Sequence, residues 1–294
     1  MRVLITGGGG FLAGHLSDYL QTIDGVEVCS WRRADCDLSV DKERLSSQLR
    51  SLRPKVIFHL AGRINGSEFE LDRDNRLATA NLLESAREEV PAARIVFGST
   101  AAVYGEGGTS GAPLEESQPV RLRGPYATSK YAAEQETRAH ADAGGWIATA
   151  RMSNPIGSGM DSALLCGTLA KQIVEVERGK PPVITLRDLE PKRDFISARD
   201  CAEGLRTIAQ HGECGKIYNL ARGESISIRE IVEVYLSLAQ VRPIEVKLVP
   251  VTGERSTVRE QWVSNHRMRM LGWVPRETLR DAVEAQLKAE RARG

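Results

Sequence analysis

Val3-Leu4-Ile5 is an apolar run of the kind found in strands buried on both faces, and it gives way to four consecutive glycines, Gly7 to Gly10. Beyond them Leu12, Leu16, Tyr19, Leu20 and Ile23 recur at helical spacing. A strand that enters a helix through glycine alone turns with no side chains in the way. The first helical amides, and the positive end of the helix dipole, then point at whatever lies above the turn. This predicts an anion site. The spacing is Gly7-x-x-Gly10-x-x-Ala13: the first glycine permits the turn, the second admits a pyrophosphate close to the backbone, and a small third residue lets helix pack on strand.

The alternation continues down the first half. "GVEVCSW", "KVIFHLAG" and "ARIVFGST" read as strands. "DKERLSSQLRSL", with Leu45, Leu49 and Leu52 on one stripe, "DNRLATANLLESARE" and "TSKYAAEQETRAHA" read as helices. Strands and helices in this order predict an α/β fold of Rossmann type, a doubly wound parallel sheet with right-handed crossovers. After residue 152 proline and glycine break the rhythm in "NPIGSG", "RGKPP" and "LEP". "RDFISARDCAEGLRTIA" reads as a strand and helix that rejoin the first sheet, "SIREIVEVYLSLA" as an amphipathic helix, and "IEVKLV" alternates with period two. The expected division is a dinucleotide-binding domain of residues 1–151 and 193–220 and a smaller α/β substrate-binding lobe of residues 152–192 and 221–294.

Composition excludes other classes. The 294 residues carry a formal net charge of +1, which argues against a nucleic-acid or membrane partner. No apolar segment approaches the ~20 residues of a spanning helix. The first strand begins at residue 2, leaving no room for a signal peptide. Cys29, Cys36, Cys166, Cys201 and Cys214 form no Cys-x-x-Cys pair and read as reduced thiols of a cytoplasmic protein. The five histidines lack metal-ligand spacing, so no metal is expected.

The end of the second strand selects the cofactor. Glu27, at the distance of a ribose-binding acid, lies inside the strand between Val26 and Val28. The tip reads "CSWRR", and Ser30, Arg32 and Arg33 are groups that suit a 2′-phosphate. NADP(H) is therefore expected over NAD(H), with Asp37 and Leu38 beside the adenine. Further on, Tyr126 and Lys130 stand four apart and share one helix face. A free phenol has a pKa near 10, and a nearby ammonium favours its phenolate, bringing it toward useful acid–base range. "VFGSTAAVYG", a strand ending in hydroxyl residues, precedes them.

Taken together these pieces resemble the extended short-chain dehydrogenase/reductases, over essentially the whole chain. "TGGGGFLAGHL" is similar to the family's cofactor turn, which implies contacts from Gly7, Gly10, Phe11 and Leu12. "HLAG" is similar to the strand beneath the nicotinamide, implying Leu60, Ala61 and Gly62. "STAAVYG" implies Thr100 as the catalytic hydroxyl, with Ser99 a substitute, and Tyr126 and Lys130 match the catalytic pair that also touches the cofactor. "RMSNPIG", "RDFISARD", "YNLARGESISI" and "LGWVP" resemble later landmarks.

The resemblance also narrows the reaction. The family's 4,6-dehydratases carry an Asp-Glu pair after the hydroxyl residue, and its decarboxylases a glutamate; this chain has Ala101-Ala102. Reduction or oxidation at one carbon remains, or epimerisation through a ketone. "AKQIVEVERGKPP", "LEPKRDF" and "WVSNHRMRMLGWVP" are most similar to the family's GDP-6-deoxy-4-keto-mannose reductases, although "GERSTVRE" departs from their Arg-Pro-Ser-Glu stretch. This implies NADPH-dependent reduction of a nucleotide-linked 4-keto-6-deoxyhexose. The alternatives are a nucleotide-sugar 4-epimerase with retained NAD(P), a non-catalytic NADP-sensing protein, and a ketoreductase for a lipid or polyphenol. For the substrate, Thr100 and Asn154 are carried over, the latter for the diphosphate. Lys171, Arg193 and Arg255 are candidate phosphate partners, each equally open to a structural salt bridge. Asn75 is read as a capping or packing residue. A homodimer through helices near 75–88 and 127–141 is implied as well.

Overall fold

The computed structural model describes residues 1–105, 111–249 and 258–293. It opens with β1 (Arg2–Thr6), α1 (Phe11–Gln21), β2 (Glu27–Trp31), α2 (Lys42–Leu52) and β3 (Val56–His59). Next come α3 (Glu68–Leu71), a π-helical stretch (Asp72–Leu77), α4 (Ala78–Glu89) and β4 (Arg94–Thr100). A 3-10 turn (Ala101–Tyr104), α5 (Gly124–Asp142) and β5 (Ile147–Met152) complete the first half. Beyond these lie β6 (Asn154–Ile156), α6 (Leu165–Glu177), β7 (Val183–Leu186), β8 (Lys192–Arg193), β9 (Phe195–Ser197), α7 (Ala198–His211) and β10 (Ile217–Leu220). The last elements are β11 (Ile226–Ser227), α8 (Ile228–Leu238), β12 (Glu245–Leu248), β13 (Glu260–Gln261), α9 (His266–Met270) and α10 (Leu279–Ala292).

One six-stranded sheet, ordered β10-β5-β4-β3-β1-β2 and parallel throughout, organises the molecule. From β1 the chain runs to β2 on one side and to β3 on the other, so the strand order reverses beside β1. The carboxyl ends of strands at such a switch point are where open α/β sheets hold ligands. Period-two alternation sorts the side chains. Phe58 and Val96 face a core shared with Leu16, Leu20, Leu205 and Ile208 of α1 and α7. Ile57, Ile95 and Phe97 face Leu45, Leu49, Leu82 and Ala133 of α2, α4 and α5. A separate core gathers α6, α8 and α10, with Ile173, Ile231, Tyr235 and Val283 fully buried.

Two expectations change here. The strand in "RDFISARD" does not rejoin the large sheet: β9 pairs with β6, and Asn154 N donates to Asp194 O at 3.1 Å beside that pairing. It is α7 and β10 that return, β10 pairing with β5. The helix read over 74–88 is divided, because residues 72–77 are wound as π-helix before α4 begins. Among the described residues, no helix is long and apolar enough to cross a membrane. Nor do three or more His, Cys, Asp or Glu gather where a metal ion could bind.

Candidate active site

The glycine turn packs directly against the end of β3. Gly7 has φ +77°, and a Cβ there would stand 2.7 Å from Ala61 N and 2.9 Å from the Leu60 carbonyl carbon. Only glycine fits. A Cβ on Gly9, by contrast, would meet nothing within 4 Å. Gly10, the N-cap of α1, has no side chain to bond the first amides of the helix. That is a cradle of the shape and polarity a pyrophosphate requires.

Two cavities run from the turn. The first, about 270 Å³, reaches toward the β2 tip past Leu60, Ala61 and Gly62 to Arg32, Arg33, Asp37 and Leu38. The second, about 250 Å³, passes Phe11 and Leu12 and ends on Thr100, Tyr126 and Lys130. Both are lined by Gly7, Gly10, Leu60 and Gly62. One continuous cleft with a polar floor at one end and charges at the other fits an extended dinucleotide.

At the inner end the helix geometry of α5 brings Tyr126 and Lys130 to the cleft from one face. Burial pushes the Tyr126 phenol above its ordinary range, while its hydrogen bond with the Thr100 hydroxyl favours the phenolate. Thr100 Oγ1 also accepts from Ala102 N at 3.1 Å, which fixes the hydroxyl at the strand end. Lys130 is buried, donates from Nζ to Gly98 O at 2.6 Å, and lies 4.3 Å from the Phe97 ring centroid. Burial lowers its pKa to about 8, with Glu134 one turn along pulling the other way. In this state the ammonium is bonded to backbone, and the group hydrogen-bonded to Tyr126 is Thr100.

Beneath these residues lies a buried clamp. Glu134 Oε1 accepts from Ser99 Oγ at 2.5 Å and Arg151 Nε at 3.0 Å, and Oε2 accepts from Arg151 at 2.6 Å. It joins α5, which bears Tyr126 and Lys130, to β4, which bears Thr100, and to β5. Sequence reasoning also passed over Asn75. Its Oδ1 accepts from Arg63 N at 2.8 Å, and its Nδ2 donates to Arg63 O at 3.0 Å and Ser129 Oγ at 2.8 Å. Ser129 in turn donates to Tyr126 O at 2.9 Å. Asn75 lines the cleft and is fully committed, so it positions the wall rather than merely capping. The signal that would have marked it is the π-helical register, which sequence periodicity does not reveal.

At the outer end the charges form a network. Arg33 is not a free guanidinium: it makes a fork with Asp74 at 2.9 and 3.0 Å and a bond with Asp37 at 2.8 Å. Asp74 also accepts from Arg63 at 2.6 Å and Arg73 at 2.8 Å. Burial would raise the Asp74 carboxyl, yet bonds from Arg33, Arg73 and Arg63 hold it well below the usual carboxylate range. Arg32 is exposed, and its guanidinium has no partner among the described residues.

The substrate candidates are not gathered in one place. Asn154 spends Nδ2 on Asp194 O at 2.8 Å. Arg193, half-buried and pulled down from its ordinary pKa by burial, donates to Lys192 O at 2.7 Å and Val258 O at 2.9 Å. No acid pairs with it among the described residues, so the salt-bridge alternative does not apply to it there. Lys171 lines a separate polar cavity of about 370 Å³ that meets the main cleft at Met160. Arg255 lies outside the described residues.

A parallel sheet with a glycine cradle at its switch point, continuous with a cleft that ends on Thr100, Tyr126 and Lys130, defines a Rossmann-type protein built to hold a dinucleotide. Residues 3–221 match the NAD dependent epimerase/dehydratase family, and the chain belongs to that family. It is 29% identical to a GDP-6-deoxy-D-mannose reductase of Pseudomonas aeruginosa, over 97% of this chain and 96% of that protein. It is 27% identical to a dTDP-6-deoxy-L-talose 4-dehydrogenase (NAD(P)(+)) of Kitasatospora kifunensis, over 96% and 93%. Among solved structures, RMD from Pseudomonas aeruginosa complexed with NADPH superposes with TM-score 0.90 at 27% identity, covering 100% of this chain and 99% of that one. UDP-glucose 4-epimerase from Thermus thermophilus in complex with NAD gives 0.86 at 26%, covering 99% of both.

Proposed function

We propose that the chain is an NADPH-dependent oxidoreductase that reduces the C4 ketone of a nucleotide-linked 4-keto-6-deoxyhexose. The observation that carries this reading is the meeting of Tyr126 and Thr100 beside buried Lys130 at one end of the cleft, with Thr100 followed by two side chains that are only methyl groups. NADPH held along the cleft would supply a hydride to the carbonyl carbon. Tyr126 gives its proton to the carbonyl oxygen as negative charge develops there. The Thr100 hydroxyl, already bonded to the phenol, stabilises the phenolate left behind, and Lys130 contributes positive charge from below. Ala101 and Ala102 offer no acid or base, so elimination of water and loss of carbon dioxide find no side chain there to assist them. The similarity to a GDP-6-deoxy-D-mannose reductase supports the substrate class. Arg32, whose guanidinium has no partner among the described residues, supports NADP(H) at the far end, and the proposed cofactor contacts are completed by Gly7, Gly10, Phe11, Leu12, Arg33, Asp37, Leu38, Leu60, Ala61, Gly62, Tyr126 and Lys130. The division of the chain into cofactor and substrate parts, and assembly as a homodimer through α4 and α5, belong to the same proposal.

A positioned acid is typically worth ~10²–10⁴ in rate. Tyr126→Phe should therefore bind NADPH as the parent does and lose turnover by about that factor; turnover near the parent value would reject the assignment. The similarity to a UDP-glucose 4-epimerase favours a second reading, in which the chain interconverts epimers with a retained cofactor. Net consumption of NADPH on addition of the 4-keto sugar nucleotide supports the reductase, and interconversion without consumption supports the epimerase. Melting-temperature shifts with GDP-, UDP-, dTDP- and CDP-sugars in the presence of NADPH would identify the nucleotide, because a specific ligand stabilises by linkage.

A further inference from the structure

A fourth cavity, about 270 Å³, opens on the outer side of the glycine turn. Gly9, Gly10 and Phe11 form its inner wall, with His15 and Asp18 further along α1. Its opposite wall is Ser158 and Gly159, from the loop after β6, and Arg293, just past the end of α10. His15 Nε2 lies 2.9 Å from Ser158 O, and the Phe11 ring packs edge-on against His15 at 5.2 Å between centroids. The loop is thus tied to α1, and the last turn of the chain stands opposite the first turn of its first helix.

The charges on this cavity are sparse. Among the described residues, Arg293 supplies its one permanent positive group and Asp18 its one permanent negative group. Arg293 meets Glu290 at 3.1 Å, with the arginine half exposed, and an ion pair so placed in water holds its partners weakly. Its second amino group stands 3.6 Å from where a Cβ of Gly159 would lie, so this arm lies beside Gly159 on the wall opposite the glycine turn. The turn itself offers only amides. A pyrophosphate brings two negative charges, while Arg32 and Arg33 stand at the far end of the cleft.

We propose that Arg293 is a further cofactor-binding residue that clamps the pyrophosphate against the glycine turn from the outer side. A guanidinium can take two phosphate oxygens in its fork, which an uncharged wall cannot. The inference rests on the reading above that the turn holds a nicotinamide dinucleotide. Because Val283 and Leu287 anchor α10 in the separate core with α6 and α8, such a clamp ties cofactor binding to that lobe.

The test uses the full chain with Arg293→Ala and Arg293→Lys, titrated with NADPH, NADH and adenosine 2′-monophosphate, which lacks the pyrophosphate. Arg293→Ala should weaken NADPH and NADH equally, about tenfold, as expected for one charge-assisted hydrogen-bonded contact. Adenosine 2′-monophosphate should bind it unchanged, and Arg293→Lys should recover part of the loss. Parent-like dinucleotide affinity in Arg293→Ala overturns the clamp while leaving the dinucleotide reading intact. Equal weakening of adenosine 2′-monophosphate also overturns it, since that marks a general disturbance. A parent chain that binds neither dinucleotide removes the reading on which the clamp stands, and the clamp with it.

Discussion

The two ends of the cleft are built on different physics. At the inner end polar groups are buried and each has a fixed partner: Lys130 on Gly98 O, Asn75 on both backbone groups of Arg63, Glu134 on Ser99 and Arg151. At the outer end charges are shared, with Asp74 meeting three arginines and Arg33 meeting two carboxylates. A buried group that loses its partner costs about 1–3 kcal/mol, whereas an exposed ion pair is worth about 0–1 kcal/mol and exchanges readily. Geometry at the inner end is set by buried hydrogen bonds that need no ligand. At the outer end partly exposed arginines converge on the buried Asp74 carboxylate, so charges there share partners.

That contrast can be broken most severely at Glu134. Glu134→Ala leaves Arg151 buried without its counter-charge, and removing one partner of such a pair typically costs about 3–5 kcal/mol. Urea denaturation should show the lowered midpoint, and a stability within about 1 kcal/mol of the parent would refute the fixed-partner account. Next comes pH. Lys130 titrates at about 8, so kcat/KM, which reports the free enzyme, should fall as pH rises through that value. Its folded pKa lies below the unfolded value of about 10.4, so the folded state binds fewer protons in between. The contribution of Lys130 to stability therefore rises with pH from about 8 to about 10.4. Lys130→Met should flatten both profiles; a parent rate constant that holds level past pH 9 would contradict the assignment.

The smallest effect sharpens the outer end. Arg32→Ala should weaken NADPH by about tenfold, the loss of one charge-assisted contact, and leave NADH unchanged. Arg33→Ala, whose charge is already engaged by Asp74 and Asp37, should change the NADPH-to-NADH ratio by less than about threefold. Equal effects of the two substitutions would show that the ion pairs at Arg33 open freely for the ligand.

Much of this was legible in the chain. β1, β3 and β4 stand where apolar, β-branched runs stood, because burial on both faces demands such runs; β5, Ile147–Met152, has no such run and is not among the strands read from the sequence. The glycine turn was legible because only glycine tolerates Gly7's φ of +77° against Ala61. Tyr126 and Lys130 were legible because helical spacing alone aligns them. Asn75 was not, since a π-helical turn shifts its register away from the period of 3.6. The pairing of Arg33 with Asp74 was hidden as well, because the two lie 41 positions apart and a long-range ion pair carries no periodic signature.

What the sequence by itself determined is whatever a local rule enforces: strand and helix periods, the all-glycine turn, and the shared helix face of phenol and amine. Only the tertiary structure decided which charges meet. It seated Lys130 on Gly98 O, bound Arg33 to Asp74 while leaving Arg32 without a partner among the described residues, and stood Arg293 across from the first helix. The physical reason is range. Backbone preference and periodicity act within a few residues, whereas burial and Coulomb attraction act between groups that only the folded sheet brings within a few ångströms.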